Sequence, residues 1–124
     1  MIIKQSIQLT TDPLEKLLQN GETIDFRLDE PVWNNLNTGD KIEFWEDFSG
    51  WDKYPSEKSR RAIVKIVEIF RAATFSDLID NLPASFTKEG QSKDILIKDL
   101  RQWWTPEKEQ QTGVLGWKVE LLQH

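Results

Sequence analysis

From Thr23 to Arg27 the chain alternates: Thr23, Asp25 and Arg27 fall on one side, Ile24 and Phe26 on the other. That period of two predicts a half-buried strand over 22–28. "IIKQSIQL" alternates more weakly and predicts a first strand, with Ile3, Ile7 and Leu9 on one face. Between them "TTDPLEKLLQNG" predicts a short helix. Asp12 is a candidate cap, Pro13 suits the first helical position, and Gly21 follows the end. Leu14, Leu17 and Leu18 form its apolar stripe.

Further on, "DEPVWNNLNTGD" predicts a connection with turns at Pro31 and Gly39. "KIEFWE" predicts a strand with Ile42 and Phe44 inward and Glu43 and Trp45 outward. A long loop, "DFSGWDKYPSEKS", leads to "RRAIVKIVEIF", whose β-branched density predicts the strongest strand. "TFSDLIDNLP" predicts a short helix capped by Thr74 or Ser76, and "PASFTKEGQS" a loop. "SKDILIKDLRQWW" predicts an amphipathic helix capped by Ser92, with Leu96, Leu100 and Trp103 on its apolar side. "TPEKEQQTG" repeats the cap–proline–acid opening and closes on Gly113. "VLGWKVELL" predicts a last strand, with Leu115, Trp117, Val119 and Leu121 on one face. Five strands among short helices give an α+β fold. The expected architecture is a small mixed β-barrel of about five to six strands with the helices packed outside.

The 124 residues suit one domain, 1–124, with one core. The absence of cysteine removes disulfides, thiolate catalysis and cysteine-ligated zinc, and fits a reducing compartment. No apolar run approaches the roughly 20 residues of a membrane helix, and "MIIKQSIQLT" lacks the pattern of a signal peptide. A cytoplasmic location, no membrane partner and a monomer are expected. The only histidine is His124. A histidine base or metal site is therefore not expected, no cofactor is implied, and any chemistry falls to Asp, Glu, Lys, Arg, Tyr or Thr.

The net charge of −5 is uneven: residues 1–52 carry −7, residues 53–71 carry +4, and residues 72–124 carry −2. An acidic chain does not coat nucleic acid indiscriminately. A single basic segment within it can still hold a short anionic ligand.

The order of these motifs resembles the ASCH domain, a branch of the PUA-like barrels. The family's strand after the first helix typically reads Gly-x-Lys-x-x-Glu-x-Arg. Here that strand is "NGETIDFR", in which Arg27 matches the arginine and Asp25 stands for the glutamate. Asn20 replaces the glycine, which has moved to Gly21, and Glu22 replaces the lysine. "NTGDKIEF" resembles the family's Gly-Asp turn and strand, "AIVKIVEIFRAATFSDL" its following strand and helix, and "GVLGWKVELL" its closing strand. The resemblance implies a single ASCH/PUA-like domain that binds RNA or a nucleotide-like ligand in a cleft beside the barrel. A related group hydrolyses N4-acetylcytidine with a lysine and a threonine in this strand. Those positions are Glu22 and Asp25 here, so the resemblance does not extend to that activity.

Asp25 and Arg27 lie about 6.6 Å apart on one strand face. Arg27 offers a planar donor fork to phosphate or a base edge, and Asp25 can steady that fork or accept from a ligand amine. A solvated surface ion pair is the alternative. Glu22 is a candidate general base if desolvated, and otherwise an exposed glutamate after a turn. In the long loop, Phe48, Trp51 and Tyr54 can stack on bases while Lys53, Lys58, Arg60 and Arg61 meet phosphates. Alternatively Trp51 and Tyr54 fold back to plug the barrel end. Trp45 can face the ligand or pack under a helix, and Trp103 and Trp117 are expected in the core. Asp94, Asp99, Glu107 and Glu109 read as helix-terminal and surface charges.

Three functions follow as expectations. The first is RNA, nucleotide or nucleoside binding through Asp25, Arg27, Trp45 and the 48–61 loop. The second is a small hydrolase of a modified nucleoside or RNA, using Glu22, Asp25, Lys53 or Tyr54. The third is a protein-interaction module.

Overall fold

A computed structural model describes residues 2–83 and 92–124; the expected loop "PASFTKEGQS" falls largely outside the described residues. Among the described residues there are five strands and five short helices. In chain order they are β1 (Ser6–Thr10), α1 (Thr11–Asn20), β2 (Glu22–Leu28), α2 (Pro31–Asn34), β3 (Lys41–Asp47), β4 (Arg61–Ala72), α3 (Phe75–Asp80), α4 (Lys93–Arg101), α5 (Pro106–Thr112) and β5 (Val114–Gln123). The strands form one sheet in the order β1-β3-β4-β5-β2. It is mixed: β1 runs parallel to β3 with Ile7 opposite Phe44, and β3 runs antiparallel to β4 with Ile42 opposite Val64. β2 and β5 are also antiparallel, since Leu121 N–H donates to Gly21 at one end and Asp29 N–H to Gly113 at the other. The α+β expectation is met.

Local chemistry accounts for most boundaries. α1 ends where Gly21 turns left-handed at φ 76°, and its N–H closes onto the Leu17 carbonyl. The start differs from expectation: Thr10 is the cap residue, no side chain bonds there, and Asp12 lies in the first turn. α3, α4 and α5 start as expected, on Thr74, Ser92 and Thr105. Each hydroxyl accepts from the backbone N–H three residues on. Gly113, at φ 73° and ψ −175°, joins α5 to β5. A Cβ there would stand 3.2 Å from the Ala72 carbonyl oxygen, so glycine is needed for both reasons.

The residues cluster into two compact units, and the division falls within β2, β4 and β5. One holds Met1–Asp25, Leu36–Glu68 and Trp117–His124, the other Phe26–Asn35 and Ile69–Gly116. The first unit buries Ile7, Leu9, Leu14, Leu17, Ile42, Phe44, Val64, Ile66, Trp117 and Val119. Trp45 is buried too, which overturns its outward assignment. β3 loses its alternation after Phe44, because both faces are covered from there to Asp47.

The second unit is built on Phe75. Leu28, Leu78 and Val114 are buried with it, and Phe26, Phe70, Leu100 and Trp104 pack against them. Phe26 meets Phe75 edge-on at 6.4 Å, and Trp104 lies 5.6 Å from the same ring. Burying each large apolar side chain contributes about 1.5–3 kcal/mol. Trp103, expected in the core, is only half-buried at the end of α4.

Glu109 corrects a further expectation. It is buried, not a surface charge. One carboxylate oxygen accepts the Phe75 N–H at the start of α3, and the other pairs with Arg101 Nη2 at 2.7 Å. One buried acid thus ties α5 to α4 and to the first turn of α3. Glu109→Ala strands both donors, and unfolding titrations should show a loss of about 3 kcal/mol. Glu107→Ala, on the exposed side of the same helix, should change stability by less than about 0.5 kcal/mol.

Candidate functional site

In the first unit the chain leaves β3 at Asp47 and returns at Arg61, and the intervening loop is built on carboxylates and serines. Asp47 Oδ1 accepts from the N–H groups of Gly50 at 2.9 Å and Asp52 at 3.1 Å. Asp52 answers by accepting from Phe48 N–H at 3.0 Å and from Ser49 Oγ at 2.6 Å. Those bonds, led by the Ser49 hydroxyl, hold the Asp52 carboxyl below the usual aspartate range. A second turn follows: Ser56 N–H donates to Ser59 Oγ at 3.0 Å, and Lys58 N–H to Ser56 Oγ at 3.2 Å. Asp and Ser suit such turns because their short side chains replace missing backbone partners. The spacing of Asp47 and Asp52 around Ser49-Gly50, and of Ser56 and Ser59, was the available sequence signal.

The base of the loop is closed by Glu46. It is 2% exposed, and its carboxylate takes a bidentate pair from Arg60, Nε at 3.0 Å and Nη2 at 2.7 Å. Thr11 Oγ1 donates to it at 3.0 Å, and Arg60 N–H at 3.3 Å. The remaining Arg60 nitrogen, Nη1, pairs with Glu15 at 2.7 Å. The Arg60 side-chain bonds, with smaller help from its backbone and from Thr11, hold the Glu46 pKa at about 2 against burial, which acts the other way. The same pairing raises Arg60 above its ordinary value.

On this framework Trp51 is 73% exposed and Tyr54 81% exposed, with Phe48 also largely open. The barrel-plug expectation for Trp51 and Tyr54 therefore fails: the short turns carry both rings outward. Lys53 and Lys58 are exposed and carry no ion pair among the described residues. Arg60 and Arg61, grouped with them by sequence, are engaged, Arg61 with Glu43 at 3.0 Å.

In the second unit Arg27 lies over the ring of Trp33, 4.8 Å from its centroid. Arg71 approaches Asp29 at 3.4 Å and the Asn34 carbonyl at 3.5 Å. Two arginines and one indole thus gather around α2, the short helix that sequence patterning missed. Asp25, in the first unit, is 9% exposed and so is not a solvated surface acid. Thr23, Ile24, Phe26 and Arg27 are all half-buried, so both faces of β2 are covered and alternation no longer sorts polar from apolar. Glu22 is exposed and lacks the desolvation a carboxylate base requires. Trp45 is buried. Among the described residues no three acids or histidines are grouped as metal ligands, and no helix is long and apolar enough to cross a membrane.

No family model matches the chain, and no curated protein matches it. Solved structures do. The crystal structure of hypothetical protein PH0355 superposes with a TM-score of 0.74 at 21% identity, over 95% of this chain and 98% of that one. The solution structure of protein PF0455 from Pyrococcus furiosus gives 0.59 at 19% identity, over 97% and 98%. The likeness spans essentially the whole chain and establishes a shared fold.

The Glu46 clamp has a pH signature. Its folded pKa of about 2 lies below the ordinary 4.5, so its contribution is complete above pH 4.5 and fades as the pH falls towards 2. Glu46→Gln should lower stability by about 1–2 kcal/mol at neutral pH. In urea unfolding the gap from the parent protein should narrow progressively below pH 4.5.

Proposed function

We propose that the chain binds single-stranded RNA or a nucleotide-like ligand through the loop between β3 and β4, with Trp51 and Tyr54 as stacking surfaces and Lys53 and Lys58 as phosphate contacts. The observation that carries this reading is the exposure of two large aromatic rings on a loop whose turns are hydrogen-bonded from within. Exposed apolar surface held in a fixed geometry marks a contact site. Rings beside lysines suit unpaired bases, which offer a π-face to the ring and a phosphate to the ammonium. The resemblance of the chain's motif order to the ASCH and PUA-like domains supports the same ligand class. Arg27, stacked on Trp33 in the other unit, is a separate candidate contact, considered by itself.

The net charge of −5 is consistent with few phosphate contacts. With Arg60 and Arg61 engaged by acids, two lysines remain on the loop. Affinity for a single strand should then fall with salt at a slope of about −1.4 in log–log form, against about −2.8 if all four cations met phosphates. Tryptophan quenching by a short oligouridylate over a salt series reads this slope. Trp51→Ala should weaken binding by roughly 5- to 150-fold, the range of one lost base stack. Unchanged affinity in Trp51→Ala, or no quenching by RNA or nucleotides, would turn the exposed rings into a protein-contact patch instead.

A further inference from the structure

The sequence groups Arg60 with the lysines as a phosphate contact. Its surroundings give it different work. All three side-chain nitrogens are committed to carboxylates, Nε and Nη2 to Glu46 and Nη1 to Glu15. Its backbone joins the same closure: Arg60 N–H donates to Glu46 Oε1, and Glu46 N–H donates to the Arg60 carbonyl at 2.9 Å. Next to it Ser59 Oγ donates to the Glu46 carbonyl at 2.8 Å. Five hydrogen bonds between the two ends of the loop therefore converge on Glu46. Asp47, the next residue, starts the turn that carries Trp51. Ser59, the preceding one, ends the turn that follows Tyr54.

We propose that Arg60 and Glu46 are positioning residues for the binding loop. Their bidentate pair fixes the spacing of the loop's ends, and so the presentation of Trp51 and Tyr54, and Arg60 makes no contact with ligand phosphate. This inference rests on the ligand-binding reading above. A loop ordered before binding loses less conformational freedom when the ligand arrives, so the clamp acts on affinity without touching the ligand. A guanidinium is required because a lysine ammonium supplies the same charge but not the planar fork.

The test compares Arg60→Lys with Arg60→Ala in the full chain, using two readouts. The first is affinity for the short oligouridylate across a salt series. Both variants should lose roughly tenfold, by similar amounts, with the parent salt slope retained. A phosphate contact would behave differently: Lys would keep most of the affinity, and Ala would flatten the slope by about 0.7. That pattern overturns the proposal. The second readout is amide hydrogen exchange, which needs no ligand. Exchange at Gly50, Asp52 and Ser56 should quicken in both variants while the β3–β4 ladder at Ile42 and Val64 keeps its protection. Unchanged loop exchange in Arg60→Ala overturns the clamp. If the parent protein binds no RNA or nucleotide, the binding reading fails, and exchange still decides whether Arg60 orders the loop. Ser59→Ala is a gentler variant should Arg60→Ala not fold. It removes one bond to Glu46 and no charge, and because it also removes the acceptor of Ser56 N–H its exchange is read at Gly50 and Asp52 only; affinity and exchange there should shift in the same direction by a smaller amount.

Discussion

A carboxylate taken out of water needs donors, and the end of β3 takes out two in succession, Glu46 and Asp47. Each solves the problem with a different part of the chain. Glu46 recruits Arg60 and Thr11, which brings the start of β4 and the start of α1 to the same point. Asp47 recruits backbone N–H groups of the loop that follows to its Oδ1, while its Oδ2 is buried without a hydrogen-bond partner among the described residues. The geometry of the loop is therefore largely a consequence of satisfying buried charge. In the other unit Glu109 acts in the same way, gathering Arg101 and the first turn of α3. Replacing such an acid by an apolar side chain leaves its donors stranded, which is why their effect on structure exceeds the modest net strength of one ion pair.

An exposed aromatic pair is costly for a chain that has no use for it, since rings open to water invite association. Here the exposure is enforced by local chemistry. Asp52 and Ser49 complete one turn and Ser56 and Ser59 another, and Trp51 and Tyr54 stand exposed on the loop these turns shape. The acidity of the rest of the chain fits the same picture. Of the cations between Lys53 and Arg71, Arg60, Arg61 and Arg71 answer acids of the chain itself, so the local charge surplus seen in sequence is partly neutralised in the fold.

The strands were legible because their signals are local. Ile7 and Leu9, and Ile42 and Phe44, repeat every second residue and are buried as that period requires; Leu115, Trp117 and Val119 are buried too, though Val114 and Gly116 before and between them are also covered and Leu121 is only half-buried. Capping hydroxyls at Thr74, Ser92 and Thr105 were equally plain. What escaped depends on distant partners. Nothing near Glu109 announces Arg101, and nothing near Glu46 announces Arg60, so both acids look like surface residues until the chain is folded. Asp25 and Trp45 escaped for another reason: a period-two pattern presumes one dry face and one wet face, and both strands are covered on each side there. α2 has four residues and no room for an apolar period. In the candidate site, the rings and lysines were visible as composition. The division of labour between Lys53 or Lys58 and the two arginines was not.

The strand order carries a consequence for how the chain is made. Among the described strands, β3–β4 and β4–β5 are consecutive both in the chain and in the sheet, and β5 follows β4 only after α3, α4 and α5; β1 and β2 pair with strands that are not their chain neighbours. β2 emerges from the ribosome well before its partner in the sheet, β5, residues 114–123. Synthesis at about 5–20 residues per second leaves the backbone edge of β2 without its ladder for several seconds. During that interval the nascent chain can complete the β1–β3–β4 part of the sheet and nothing beyond it. Assembly of the sheet beyond β4 thus waits for β5, slowed by the distance between its paired segments.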